Sequence, residues 1–173
     1  MHSRVKLHPA TPEDVDFIVS IDSNPDFWFA EDELEGDSEK VREITIDRMN
    51  GDRYKYFVIR LNDNRAIGVA YTWQYISERK SWEIGYCILP EYRRQGYCTE
   101  AARALIKYTF ENCGAHRVVA MCSARNKASY RVLEKAGMTR EGVFRQEILY
   151  DGGWVDQFFY AILDSEHPHI LVQ

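Results

Sequence analysis

Pro90-Glu91-Tyr92-Arg93-Arg94-Gln95-Gly96-Tyr97-Cys98-Thr99 joins two segments of different period. Before it, Trp82–Leu89 alternates as a strand does, with Trp82, Ile84, Tyr86 and Ile88 on one face and Glu83, Gly85, Cys87 and Leu89 on the other. After it, Ala102, Leu105, Ile106, Thr109, Phe110 and Cys113 recur at helical spacing over Thr99–Cys113, and Gly114 stops the run. A helix start leaves about four backbone N–H groups without partners and carries a partial positive charge. Such a turn suits a phosphate or pyrophosphate, with Arg93 and Arg94 adding charge beside it. The alternative is a plain strand-to-helix turn with two solvated arginines. The stretch has neither the GxGxxG of a dinucleotide site nor the GxxxxGK of a nucleotide-triphosphate loop.

Working outward, Thr11-Pro12-Glu13-Asp14 opens a short amphipathic helix carrying Val15, Ile18, Val19 and Asp22, and a second helix runs from near Ser38 to Asn50-Gly51. Tyr54–Leu61 and Arg65–Tyr75 read as strands joined by the turn Asn62-Asp63-Asn64. Arg117–Cys122 is a short buried strand, and Asn126–Ala136 is a helix closed by Gly137. Thr139–Tyr150 and Trp154–Leu163 form a last hairpin around Asp151-Gly152-Gly153. The expected order is β-α-α-β-β-β-α-β-α-β-β, an α/β fold with one βαβ crossover in its middle.

The 173 residues are read as one domain over 1–173, with 45% apolar and 28% charged residues. This mix excludes a disordered chain, a collagen-like repeat and a small disulfide scaffold. The net charge of −5 argues against a general affinity for nucleic acid or anionic membrane. No apolar run approaches the roughly 20 residues that span a bilayer, and Met1–Ala10 lacks the apolar middle of a signal peptide. The four cysteines form no CxxC pair and have no histidine at metal-like spacing, so free thiols, no metal and a cytoplasmic location are expected.

Arg93-x-x-Gly96-x-Cys98, after an apolar strand and before a helix, resembles the acetyl-CoA pyrophosphate signature Arg-x-x-Gly-x-(Gly/Ala) of the GCN5-related N-acetyltransferases (GNAT). Three further stretches resemble that family in the same order. Glu83-Ile84-Gly85-Tyr86-Cys87-Ile88-Leu89 is similar to its fourth strand. Asn126-Lys127-Ala128-Ser129 followed by Glu134-Lys135-Ala136-Gly137-Met138 is similar to its second cofactor motif. Glu141-Gly142-Val143-Phe144 and the turn after it resemble the ribosomal-protein N-terminal acetyltransferase branch. The resemblance implies a mixed, partly splayed sheet of about seven strands with helices on both faces. Two positions depart from the pattern: Cys98 stands where Gly or Ala is usual, and Leu133 where many members carry a general-acid Tyr. Cys98 reads as a packing variant and not as a nucleophile.

By the same resemblance, acetyl-CoA is the cosubstrate. Arg93, Arg94, Gln95, Gly96, Tyr97, Cys98 and Thr99 would hold its pyrophosphate, and the backbone of Cys87, Ile88 and Leu89 its pantetheine arm as an added strand is held. Asn126 and Ser129 would meet the same arm. One strand N–H could polarise the thioester carbonyl. The expected reaction is direct attack by an amine. Only about one alkylammonium in a thousand is neutral at pH 7, so a base is needed. Glu83 is the candidate, with Glu147 second; Glu83 reads equally as a carboxylate in an ion pair. Ser129 or Tyr130 would donate to the departing sulfur, and each also reads as ordinary, Ser129 as a first-turn capping residue and Tyr130 as a partly buried aromatic.

From Asp22 to Asp47 ten acids face only Lys40 and Arg42, with Phe27, Trp28 and Phe29 among them. Such charge could steer a cationic amine, and the aromatics could form an amine-facing wall; a solvated acidic loop explains the same count. The acceptor is a protein N-terminus or a small amine such as a polyamine, an aminoglycoside or an amino acid. A non-catalytic acyl-CoA-binding domain is the alternative. Either a monomer or a homodimer is compatible with these features.

Overall fold

The computed structural model describes residues 3–27 and 37–167. The strands are β1 (Val5–Pro9), β2 (Tyr54–Leu61), β3 (Ala66–Ile76), β4 (Ser81–Ile88), β5 (Arg117–Ser123), β6 (Thr139–Tyr150) and β7 (Gly153–Leu163). The helices are α1 (Val15–Asp22), α2 (Ser38–Asn50), α3 (Tyr97–Cys113) and α4 (Lys127–Lys135). The element order is the one expected. One boundary moves for a physical reason: α3 begins at Tyr97 rather than Thr99, because Gly96 adopts a left-handed φ of 88° and serves as its N-cap. Among the described residues no helix is long and apolar enough to cross a membrane.

The seven strands form one sheet in the order β1-β2-β3-β4-β5-β7-β6. The alternation of β4 divides the core. On one face Trp82, Ile84 and Ile88 pack with Ala102, Leu105 and Ile106 of α3 and Leu133 of α4. On the other, Cys87 packs with Ile18 and Ile21 of α1, Tyr56 of β2 and Val69 of β3. The mixture of parallel and antiparallel pairs comes from the crossover through α3, which returns the chain parallel to β4.

That parallel pair is short. β4 and β5 share only Ser81↔Arg117, Trp82↔Val118 and Glu83↔Val119. Beyond this point β4 stays paired with β3 as far as Gly68↔Ile88, and β5 with β7 as far as Ser123↔Gln157. The two strands therefore part in the middle of the sheet. A main-chain edge of β4 opens inside the molecule, where an extended ligand can pair with it.

Candidate active site

The loop leading into α3 reverses its handedness twice, at Arg94 (φ 61°) and Gly96 (φ 88°). The first intrahelical bond of α3 is donated by Glu100 to the Gly96 carbonyl at 3.2 Å. The amides of Gly96, Tyr97, Cys98 and Thr99 are thus the helix's open donors, and no side chain caps them. They face a cleft of about 660 Å³ between β4 and α4. Among the described residues that line it are Arg93, Arg94, Lys127, Arg131 and Lys135, and no acid. In a chain of net charge −5, this concentrates positive charge on one cleft.

Ten of the twelve expected cofactor residues line this cleft: Cys87, Ile88, Arg93, Arg94, Gly96, Tyr97, Cys98, Thr99, Asn126 and Ser129. Leu89 and Gln95 do not. The Leu89 amide donates to the Ile67 carbonyl at 2.9 Å and its side chain packs into the α1 side of the core. The Gln95 carbonyl accepts from Arg4 Nη2 at 2.9 Å, and its side chain donates to the Glu91 carbonyl. Arg93 braces the loop, because its Nε donates to the Ile88 carbonyl at 2.9 Å while its guanidinium lies over the Phe27 ring. Arg4 is a support the sequence did not point to. It pairs with Glu100, lies over the Tyr97 ring at 4.8 Å, and stands 3.1 Å from where a Cβ on Gly96 would be.

Burial pushes the Cys98 thiol up to about 12, outweighing what the helix start would do to a thiolate. Cys98 is therefore a neutral packing group. Burial likewise raises Cys87 and Cys122 to about 11.

Ser129, Asn126 and Tyr86 line both this cleft and a second cavity, so the two spaces meet around them. Asn126 caps α4, its Oδ1 accepting from the Ser129 amide at 3.0 Å. The Ser129 and Tyr86 hydroxyls are 3.4 Å apart across the split between the strands. Burial drives the Tyr86 hydroxyl well above its usual value, which keeps its proton in place as a donor. Tyr86 was read only as one face of a strand, since nothing in its spacing separates a core tyrosine from one that reaches the gap. Tyr130 does not join this group; its ring packs 5.7 Å from Phe158, and it lines neither space. Leu133 is buried apolar wall.

The second cavity, of about 470 Å³, lies on the α1 and α2 side of the gap. Tyr71 forms part of its wall, and Gly85 lets that ring approach, since a Cβ there would sit 2.3 Å from Tyr71 Cε2. Tyr56, Tyr71, Trp73 and Tyr54 continue as a run of neighbouring rings with centroids 5.5 to 6.2 Å apart. Arg48 lies over the Tyr54 ring at 4.8 Å.

Neither expected base lines either space. Glu83 stands where the β4–β5 pairing ends, opposite Trp73 and Val119, and burial raises its carboxyl to about 7. Glu147 is exposed, on a bulge in which Arg145, Gln146 and Glu147 stand between the pairs Phe144↔Gln157 and Ile148↔Val155. Of the acids in the 22–47 segment, only Asp22 lines the cavity among the described residues. Asp37 caps α2 through the Lys40 amide, and Asp26, Glu39, Glu43 and Asp47 are exposed, so these read as a solvated face. Trp28, Phe29, Glu31, Asp32, Glu33 and Glu35 lie outside the described residues.

A split between parallel strands, an uncapped helix start beside it and a second cavity at its far side form one continuous site. The family model described as "Acetyltransferase (GNAT) domain" matches residues 4–139, and the chain belongs to this family of N-acetyltransferases. It is 36% identical over 130 residues to the uncharacterized N-acetyltransferase YnaD of Bacillus subtilis, covering 75% of this chain and 76% of that one. The Escherichia coli [ribosomal protein uS5]-alanine N-acetyltransferase is 32% identical over 79 residues, 46% of this chain and 41% of that protein. The spermidine N-acetyltransferase of Vibrio cholerae, solved with CoA and spermine, superposes with a TM-score of 0.86 at 20% identity, covering 96% of this chain and 99% of that one. At that identity the likeness concerns the fold.

Proposed function

We propose that the chain moves the acetyl group of acetyl-CoA directly to a primary amine, with the donor in the cation-lined cleft and the acceptor in the aromatic cavity. The single observation that carries this reading is the meeting of the two spaces at Tyr86, Asn126 and Ser129. The residues present fit coenzyme A, since five cations and no acid line the cleft among the described residues, over an uncapped helix start. A thioester supplies the activated acyl carbon. The amides of Gly96, Tyr97, Cys98 and Thr99 hold the diphosphate, and the open edge of β4 beyond Glu83 aligns the pantetheine arm. A β4 amide polarises the thioester carbonyl, and Ser129 and Tyr86 offer hydroxyl donors to the leaving sulfur.

The acceptor is a protein N-terminus or a small amine. Relatives with each kind of printed substrate support keeping both. The four free cysteines support a reducing, cytoplasmic setting. The test is release of CoA thiol from acetyl-CoA with polyamines, aminoglycosides, amino acids and peptides with free N-termini. The expected result is thiol release matched by acetylated amine for at least one class. Tight CoA binding with no turnover across the panel would leave an acyl-CoA-binding domain instead.

A further inference from the structure

We propose that Asp22, at the end of α1, receives the ammonium group of the acceptor, and that the cavity around it takes an amine carrying one positive charge on an aromatic or apolar body. This rests on the acetyl-transfer reading and adds a residue and a substrate class to it.

Asp22 lines the 470 Å³ cavity, and its Oδ1 is buried with no hydrogen-bond partner among the described residues. A buried carboxylate oxygen left without a partner is costly, and an entering N–H⁺ donor supplies what is missing. Tyr54, Tyr56, Tyr71 and Trp73 form the wall, where a cation gains from ring faces and an apolar body from burial. Among the described lining residues Asp22 is the only carboxylate and Arg48 the only cation. Arg48 is already held by Tyr54 and Tyr56, so a second ammonium on the acceptor would meet a fixed positive charge. This disfavours polyamines.

The proton count closes. The ammonium gives one proton to Asp22. The neutral nitrogen then bonds to the acetyl carbon as the carbon–sulfur bond breaks. The nitrogen's second proton goes to the sulfur, and Asp22 later releases its own to water.

The groups facing Asp22 are Arg48 of α2, Tyr56 of β2, Tyr71 of β3 and Cys87 of β4. Burial raises Asp22 to about 7, opposed by Arg48, while Tyr56, Tyr71 and Cys87 are shifted upward and stay protonated. Glu83 on β4 also titrates near 7, so its own variant must be run alongside.

The experiment titrates 2-phenylethylamine and spermidine into the full chain, without and with saturating CoA, following tryptophan fluorescence, which includes Trp73. The expected result is at least tenfold tighter binding of 2-phenylethylamine than of spermidine. Asp22→Asn should weaken 2-phenylethylamine at least thirtyfold, with CoA affinity within twofold and thermal unfolding no lower than in the parent. The kcat/KM of the parent should fall below about pH 7, and this limb should persist in Glu83→Gln and vanish in Asp22→Asn. Asp22→Ala gives the same reading if the first variant is poorly folded. No binding of 2-phenylethylamine, equal binding by the variants, or preference for spermidine would overturn the proposal. Failure of CoA to bind would instead strike the acetyl-transfer reading, and the titration without CoA would still judge Asp22.

Discussion

The proposed cofactor cleft and acceptor cavity share Phe27, Tyr86, Asn126 and Ser129, yet they are built from different materials. Apart from Phe27, the cleft residues come from two short runs of sequence, 86–99 and 126–135, and bring main-chain amides, one glycine and five cations. The cavity is made of side chains from α1, α2, β2, β3, β4 and the β5–β7 side of the split. A backbone site tolerates many sequences so long as the turn is kept, whereas a side-chain site changes with each substitution.

The largest effect that could break this contrast is expected at Gly96. Gly96→Glu puts a carboxylate at the helix start, where Arg4 and the open amides lie, and should cost at least a hundredfold in CoA affinity by calorimetry. Amine binding in the other cavity should stay within threefold; a parallel loss in both would show that the two halves are not independent. Gly96→Ala separates the causes, since it adds no charge, only the strain of a left-handed φ, on the order of 1–2 kcal/mol, and a close contact with the Arg4 side chain.

A middle-sized effect concerns pH and stability. Asp22 and Glu83 are both raised from below 5 to about 7 in the folded chain. Between the two values the native state binds more protons than the unfolded one, so stability falls as pH rises from about 4 to about 7. Asp22→Asn removes one of these ionisations and should raise Tm at pH 8 by a few degrees, read by calorimetry, while lowering activity. A lower Tm at pH 8 would mean that the carboxylate has a stabilising partner in the fold.

The smallest effect is expected at the carboxylate that lines neither space. Glu83→Gln should change kcat/KM at pH 8 by less than about threefold, because the side chain stands where the strand pairing ends. A thirtyfold loss with intact CoA affinity would return Glu83 to the reaction as its base.

What could be read from the sequence follows the same division. The strand of Trp82–Leu89, the glycine turn and the helix after it each have a local period or a local stop, so the elements that bound the cleft were legible, and ten of the twelve residues named for it line it. The start of α3 was misplaced because Gly96 carries no capping side chain. Its open amides suit a ligand, and an absent cap leaves no mark in a sequence. Asp22 shares the helical spacing of Val15, Ile18 and Val19 and also falls in a run of acids, and the packing of α1 against β2, β3 and β4 separates it from its solvated neighbours. Arg4 and Tyr86 were missed for a related reason. Arg4 reaches Glu100 across 96 positions, and Tyr86 reaches Ser129 across 43, distances over which no periodicity carries information. Gln146 adopts a φ of 54° without being glycine, so the bulge in β6 was also silent.

A crystal structure of the chain with bound CoA tests the central claim most directly. The account predicts the diphosphate on the amides of Gly96 to Thr99, the pantetheine arm along β4 past the Glu83↔Val119 pair, and the thiol between Tyr86 and Ser129. CoA bound elsewhere, with the start of α3 turned away from its phosphates, would contradict it.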